Sequence, residues 1–390
     1  MSTLKVDAIR HNSATSDAIT THSDGTASAK IVDVAGGPLS NRNLIINGAM
    51  NVAQRSSSVA VSDGSNEGYN SLDRYKTYTN NSGAYTVSQD TDVPTDYSFG
   101  RFRNSYKVDV TTADTSIGAS DLIRVEQDIE AQDISNSGWD YTSSNGKLTL
   151  SFWVKSVKAG TYVVVVQTAD GTAHSYALEY TLSANTWTHV TKTIPGNSNL
   201  TIDDDNGVGL RIHWILCSGS DNNLTADTWT SGLKYGTTNQ ANLFDSTSNN
   251  WYLTGVQLEV GDTATTFEHR SYGIEYDLCR RYYERWYGGS SFHSFLIGMA
   301  YQTTQGFGPF NFYPKRDAPT LEYSNLSHFD RLKSASSSVS SAVTNLKIDN
   351  TAPTFNSGYL YWNHDSMTGG QAIMFRITST SGWIALSAEL

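Results

Sequence analysis

The stretch "KLTLSFWVKS" (Lys147–Ser156), followed closely by "TYVVVVQT" (Thr161–Thr168), decides the fold class of this chain. In the first, Leu148, Leu150, Phe152 and Val154 fall on one face and Thr149, Ser151, Trp153 and Lys155 on the other. That is the period of two that a strand imposes. The second is a β-branched run suited to a strand buried on both faces. The same alternation continues in both directions. "HSYALEYTL" groups Tyr176, Leu178, Tyr180 and Leu182, and "GLRIHWILCS" groups Leu210, Ile212, Trp214 and Leu216. "NNWYLTGVQLEVG" groups Tyr252, Thr254, Val256, Leu258 and Val260. Between them lie "ADGTA", "SANT", "PGNSN" and "DDDNG", all of them turn chemistry. Many short period-two strands separated by turns predict a mainly β protein, an antiparallel β-sandwich of jelly-roll type over residues 43–270.

The flanks read differently. Residues 1–42 are poor in core-forming side chains, and predict an extended N-terminal arm that must pack on something to be ordered. "IEYDLCRRYYERWY" (Ile274–Tyr287) predicts a helix within a linking segment, 271–289. Glu275 and Asp277 sit in its first turn, Asp277 lies four residues before Arg281, and Leu278, Tyr282 and Trp286 stack at i, i+4, i+8. Gly288-Gly289 follows as a stop. Residues 290–390 return to strand patterns such as "GFGPFNFYP" and "QAIMFRITST", predicting a smaller C-terminal β domain with an exposed Ser-rich loop at Leu332–Thr344.

The 390 residues carry Lys+Arg 27 against Asp+Glu 38, a formal charge of -11. Phosphate backbones demand clustered cations, so nucleic acid is not the expected partner. No run approaches the ~18 apolar residues of a membrane span, and the N-terminus lacks a secretory apolar region. Two cysteines, Cys217 and Cys279, read as small core hydrophobes rather than a disulfide framework.

Catalytic motifs are sparse. There is no G-x-S-x-G, H-E-x-x-H or Walker loop, so no catalytic residue is assigned. Asp203 and Asp205 in "TIDDDNGVG" offer hard oxygens for Ca²⁺ but miss the EF-hand register, and the same residues make a plain tight turn. Glu126, Asp128 and Glu130 share one strand face, which reads either as a solvated face or as acids for glycoside cleavage. Aromatic side chains in polar loops are the other signal. Trp139 and Tyr141, Trp229 and Tyr235, and Trp362 with His364 are candidate platforms on which a sugar's C–H face could stack. The competing reading folds each ring back against the core or a neighbouring subunit.

Several passages together resemble a known family. "NRNLIINGAMNVAQRSSS", "SLDRYKTY", "LTLSFWVKS" and "WYLTGVQLEVGDTATTFEHRSYGIEYDLCRRYYERW" are similar to tail-fibre and virion-adhesin proteins of tailed bacteriophages, notably marine ones. The resemblance covers about residues 1–287, and "FNFYPKRDAPTLEYSN" resembles the small β domain that often follows. It implies a virion structural protein, usually a homotrimer, with a carbohydrate-binding-module-like central sandwich. It further implies that the N-terminal arm attaches to other virion proteins and that distal β domains meet a host-surface glycan or protein. A head, neck or baseplate decoration protein and a fibre with depolymerase activity are the alternatives. In a threefold assembly Leu278, Tyr282 and Trp286 would pack about the axis; otherwise they would dock the two sandwiches on each other within one chain.

Overall fold

The computed structural model describes residues 41–80, 82–288, 293–333, 340–349, 356–364 and 367–390. Ahead of them it describes Val6, Ala8, Ile9, Ile19–Thr21, Ser23 and Ala27–Ala29. The rest of the predicted arm and residues 334–339 of the Ser-rich loop lie outside the described residues. Within the arm, β1 (Ala8–Ile9), β2 (Ile19–Thr21) and β3 (Ala27–Ala29) pair as a small antiparallel meander.

The central domain is a sandwich of two six-stranded antiparallel sheets. One contains β5 (Lys76–Asn80), β8 (Leu122–Glu130), β10 (Gly160–Thr168), β11 (His174–Leu182), β13 (Val208–Ser218) and β14 (Trp229–Ser231). The other contains β4 (Ser58–Ser62), β6 (Ala84–Asp90), β7 (Ser105–Thr112), β9 (Lys147–Ser156), β12 (Thr188–Pro195) and β15 (Asn250–Val260). Their orders are β14-β11-β10-β13-β8-β5 and β12-β9-β15-β7-β6-β4. Alternation puts Leu148, Leu150, Phe152 and Val154 of β9 into one core with Leu210, Ile212, Trp214 and Leu216 of β13. The Phe152 and Trp214 rings meet edge to face at 6.0 Å, a favoured aromatic geometry.

The outer faces are roofed as well. Val163, Val165 and Ile215 are covered by Leu224 and Tyr235, which explains why the valine run is apolar on both sides. On the other sheet Trp153 lies under Phe102 and Phe267, and His189 stacks on Phe99 at 3.8 Å.

Strand β15 corrects the sequence reading. Its ladder to β9 slips between Thr254 and Gln257, at a bulge where Gly255 has φ 63°. Trp251 and Leu253 face the core before the bulge and Val256 and Leu258 after it, so Tyr252 and Thr254 leave the predicted face. A Cβ on Gly255 would come within 2.6 Å of Phe102 Cζ. Gly255→Ala is therefore expected to cost about 2–4 kcal/mol, from left-handed backbone strain plus overpacking. The urea midpoint should fall accordingly; an unchanged midpoint would contradict the bulge.

The linking helix is also shorter than its pattern. Besides the single turn α1 (Ala131–Ser135), the long-range helix α2 covers only Tyr272–Arg280, capped by the Ser271 hydroxyl on the Ile274 N–H. The chain then enters β16 (Tyr283–Tyr287). The predicted Asp277–Arg281 pair does not form: Asp277 takes Arg280 at 3.2 Å, and Arg281 reaches Glu130 at 2.7 and 2.8 Å. A backbone ladder with a distant strand and burial of Trp286 outweigh i,i+4 pairs worth about 0.3–0.5 kcal/mol.

The C-terminal domain packs a three-stranded sheet on a seven-stranded one. The first has β16 beside β25 (Trp383–Ser387), itself beside β19 (Thr320–Tyr323). The second contains β17 (His293–Ala300), β18 (Gln305–Asn311), β20 (Phe329–Lys333), β21 (Ser340–Ala342), β22 (Asn345–Ile348), β23 (Ser357–Asn363) and β24 (Ala372–Ile377). Between them Trp286 meets Phe310 at 4.9 Å, and Ile384, Leu386 and Phe375 fill the core.

Candidate functional site

The five loop aromatics and His364 do not converge. Trp139 is 3% exposed and belongs to the sandwich core, with Tyr141 tilted against it at 6.0 Å. Trp229 packs on Tyr176 and donates its Nε1–H to the Pro195 carbonyl at 2.7 Å. Tyr235 lies over the outer sheet face beside Arg124, 4.5 Å from its guanidinium. Trp362 is buried 5.0 Å from Phe375, and His364 is buried beside it in sequence. Trp139, Trp362 and His364 are thus buried and Tyr141, Trp229 and Tyr235 half-buried, because a Trp or Tyr gains by burying its area.

Other predicted groups are likewise put to structural use. Asp205 Oδ1 accepts the Gly207 N–H at 2.8 Å as a turn acceptor, and Asp203 N–H binds Asp170. Among the described residues no group of three or more His, Cys, Asp or Glu is arranged to hold a metal ion. Cys217 and Cys279 are free and buried. Leu278, Tyr282 and Trp286 share no face. Leu278 borders a surface groove with Ile274, while Trp286 belongs to the C-terminal core. Tyr282 is buried under the Arg74 guanidinium at 3.5 Å and donates its hydroxyl to Glu130 at 2.6 Å.

What the fold does bring together is a cleft of about 400 Å³ between the two domains. Strand alternation builds one wall: Tyr283, Arg285, Glu322, Trp383 and Ser387 share the face of the three-stranded sheet opposite its core. The other wall is Arg55, Glu67, Tyr69 and Asn70, from the segments before and after β4. Two guanidiniums are held flat on aromatic rings. Arg55 lies 3.5 Å over Tyr283 and Arg285 lies 4.0 Å over Trp383. Gln54 stitches the walls, its side-chain Nε2–H donating to the Tyr283 carbonyl at 2.8 Å and its main-chain carbonyl accepting the Tyr287 hydroxyl at 2.6 Å. Rings, two cations and the carboxylates of Glu67 and Glu322 thus line one polar hollow. None of these residues was singled out as a binding group from sequence; the available signal was the alternation in "YERWY" and "WIALS".

Behind Tyr69 runs a seam of buried charge. Glu126, Asp128 and Glu130 do share a face of β8, but that face is buried and paired rather than solvated. Glu126 meets Arg124 at 2.6 Å, Lys76 at 3.0 Å and His213 Nδ1 at 3.0 Å. Burial raises its pKa, but the hydrogen bond and charge of His213 and the charges of Arg124 and Lys76 together hold it well below the carboxylate range. Burial, then the Glu126 charge, pushes Asp128 up to about 6 although Arg211 is 3.3 Å away. Burial pushes Asp73 up to about 6 as well, against the attraction of Arg55. Arg74 closes the seam, pairing with Glu389 and donating to the Asp128 carbonyl at 2.6 Å. Glu126 and Asp128 are thus paired within the central sandwich, whereas Glu130 with Arg281 and Tyr282, and Arg74 with Glu389, join it to the chain beyond.

No protein-family model matches the chain, and no curated protein matches it. Among solved structures, the enzymatically active domain of bacteriophage CBA120 tailspike protein 4 aligns over 56% of this chain at 13% identity and TM-score 0.28, but over only 21% of its own length. A CBM4 module aligns over 55% of this chain and 97% of itself, with 16% identity and TM-score 0.29. The CBM22-1 xylan-binding domain from Paenibacillus barcinonensis Xyn10C aligns over 60% of this chain and 100% of itself, with 9% identity and TM-score 0.28. Likenesses this distant bear on neither ligand nor activity.

Proposed function

We propose that the chain is a non-catalytic bacteriophage adhesin that holds a host-surface glycan in the interdomain cleft. The observation that carries the reading is the mixture in that cleft: ring-stacked Arg55 and Arg285 opposite Glu67 and Glu322. A sugar hydroxyl both donates and accepts, so alternating guanidinium donors and carboxylate acceptors suit a neutral polyol. The virion role rests on the sequence resemblance over residues 1–287. Attachment through the N-terminal arm and a homotrimeric state belong to that same proposal.

Trp383→Ala is expected to weaken binding to host polysaccharide at least tenfold in titration calorimetry, about 1.4 kcal/mol. Tyr272→Ala, on an exposed surface away from the cleft, should leave it unchanged. Equal affinity of the Trp383 variant and the parent would remove the cleft from the reading. A decoration protein, by contrast, would leave host cells unbound. The two cleft carboxylates favour one further reading, a depolymerase. It requires product release from host polysaccharide that Glu67→Gln or Glu322→Gln abolishes.

A further inference from the structure

The outer face of the seven-stranded C-terminal sheet carries side chains that water does not suit. Alternation sends Phe310, Leu360, Trp362 and Phe375 into the core, and so turns their neighbours outward. Ladder register sets Met299, Phe307 and Tyr361 side by side across three strands, with Pro309 opposite Tyr359 in the next rung. Ile297 is 69% exposed, Tyr301 60%, Met299 48% and Tyr359 47%. The Phe307 and Tyr361 rings lie nearly parallel at 5.6 Å, with Tyr359 edge-on to Phe307 at the same distance. Contiguous exposure of this kind marks a contact surface.

We infer that this face is an interface with a second copy of the same chain. Three observations select that occupant. The face mixes thioether and branched aliphatic side chains with its rings, which gives a sugar little to bond and a protein face much to pack against. It is charge-balanced: Lys347 and Asp349 stand near Tyr361 at one margin, and Arg376 pairs with Asp330 at 2.7 Å at the other. In a chain of formal charge -11, a face without net charge is one that can meet its own copy without repulsion. Its size also fits. Seven strands at ~4.8 Å spacing and about six residues at ~3.3 Å give a footprint on the order of 600 Å² before corrugation, near the ~800 Å² each partner gives to a specific interface.

Sedimentation equilibrium of the full chain tests this. The parent is expected to associate at micromolar concentration. The double variant Ile297→Lys with Met299→Lys should dissociate at least about 100-fold more readily, because each buried contact would carry unpaired ammonium groups. Both side chains are exposed in the single chain, so its circular dichroism and melting temperature should be kept. A control pair on the exposed face of α2, Tyr272→Lys with Ile274→Lys, should associate as the parent does. A parent that sediments as one chain throughout, or a sheet variant that associates normally, would overturn the inference. So would dissociation confined to the α2 pair, which would move the interface to the helix. Because neither sheet substitution touches the cleft, glycan affinity per chain measured on the same variants separates this inference from the adhesin reading.

Discussion

Glu284→Ala is expected to destabilise the protein by about 3–5 kcal/mol, the cost of leaving a buried charge without its partner. Glu284 lies at the joint between α2, β16 and the segment before β19, and is 2% exposed. It accepts from Lys315 Nζ at 2.8 Å, from Arg280 Nε at 2.9 Å and from the Tyr313 N–H at 2.9 Å. Lys315 is 1% exposed, and burial already pushes its pKa down to about 8 against the attraction of Glu284. Truncation leaves that ammonium with the Arg280 carbonyl at 2.6 Å, and leaves the Tyr313 N–H without its acceptor. Lys315→Met should cost clearly less, since it removes the ammonium's desolvation while Arg280 still pairs with Glu284. Urea unfolding followed by tryptophan fluorescence measures both. Equal losses for the two variants would mean that the carboxylate is not the hub of this joint.

The second large effect is the pH dependence that one buried acid adds to stability. The pKa of Asp73 rises from 3.8 unfolded to about 6 folded, with burial as the leading cause. Between those values the native state binds more protons than the unfolded chain. The stability that Asp73 contributes is therefore fully present below about pH 4 and lost as pH rises through about 6, a change of about 3 kcal/mol for this one group. Asp128, raised to about 6, and Glu275, also raised by burial, act in the same direction. His213 and His189, both lowered to about 4 chiefly by burial, act in the opposite sense over the same range, and Glu126 and Glu130, lowered in the fold, do so at lower pH. The Asp73 share is therefore read as the difference in stability between the parent and Asp73→Asn from pH 7.5 to about 4. Relative to that variant, the parent should gain about 3 kcal/mol as pH falls across this range. An unchanged pH profile in the variant would contradict the burial of Asp73.

The strands of the central sandwich were legible because their signal is local. In "KLTLSFWVKS" each residue's neighbour two places away shares its face, so the core set could be read directly. Tyr176, Leu178 and Tyr180 followed the same rule. The rule failed at Gly255, where a bulge shifted the parity: Tyr252 and Val256, same-face by counting, end on opposite sides. It failed again in "YERWY", where helical i,i+4 spacing and strand alternation are both present in the same residues. Whether the loop aromatics stand out or fold back stayed open in the sequence, since polar neighbours say little about which way a Trp139 ring turns.

By itself, then, the sequence determined the β class, the central sandwich and the place of a single long-range helix, all set by periodicities only a few residues long. The tertiary structure alone decided where that helix stops, since β25, nearly a hundred residues on, competes for Tyr283–Tyr287 and wins through a ladder. It alone decided the cleft too. Arg55, Tyr69, Arg285 and Trp383 come from opposite ends of the chain, and no local pattern encodes a meeting made by the docking of two domains.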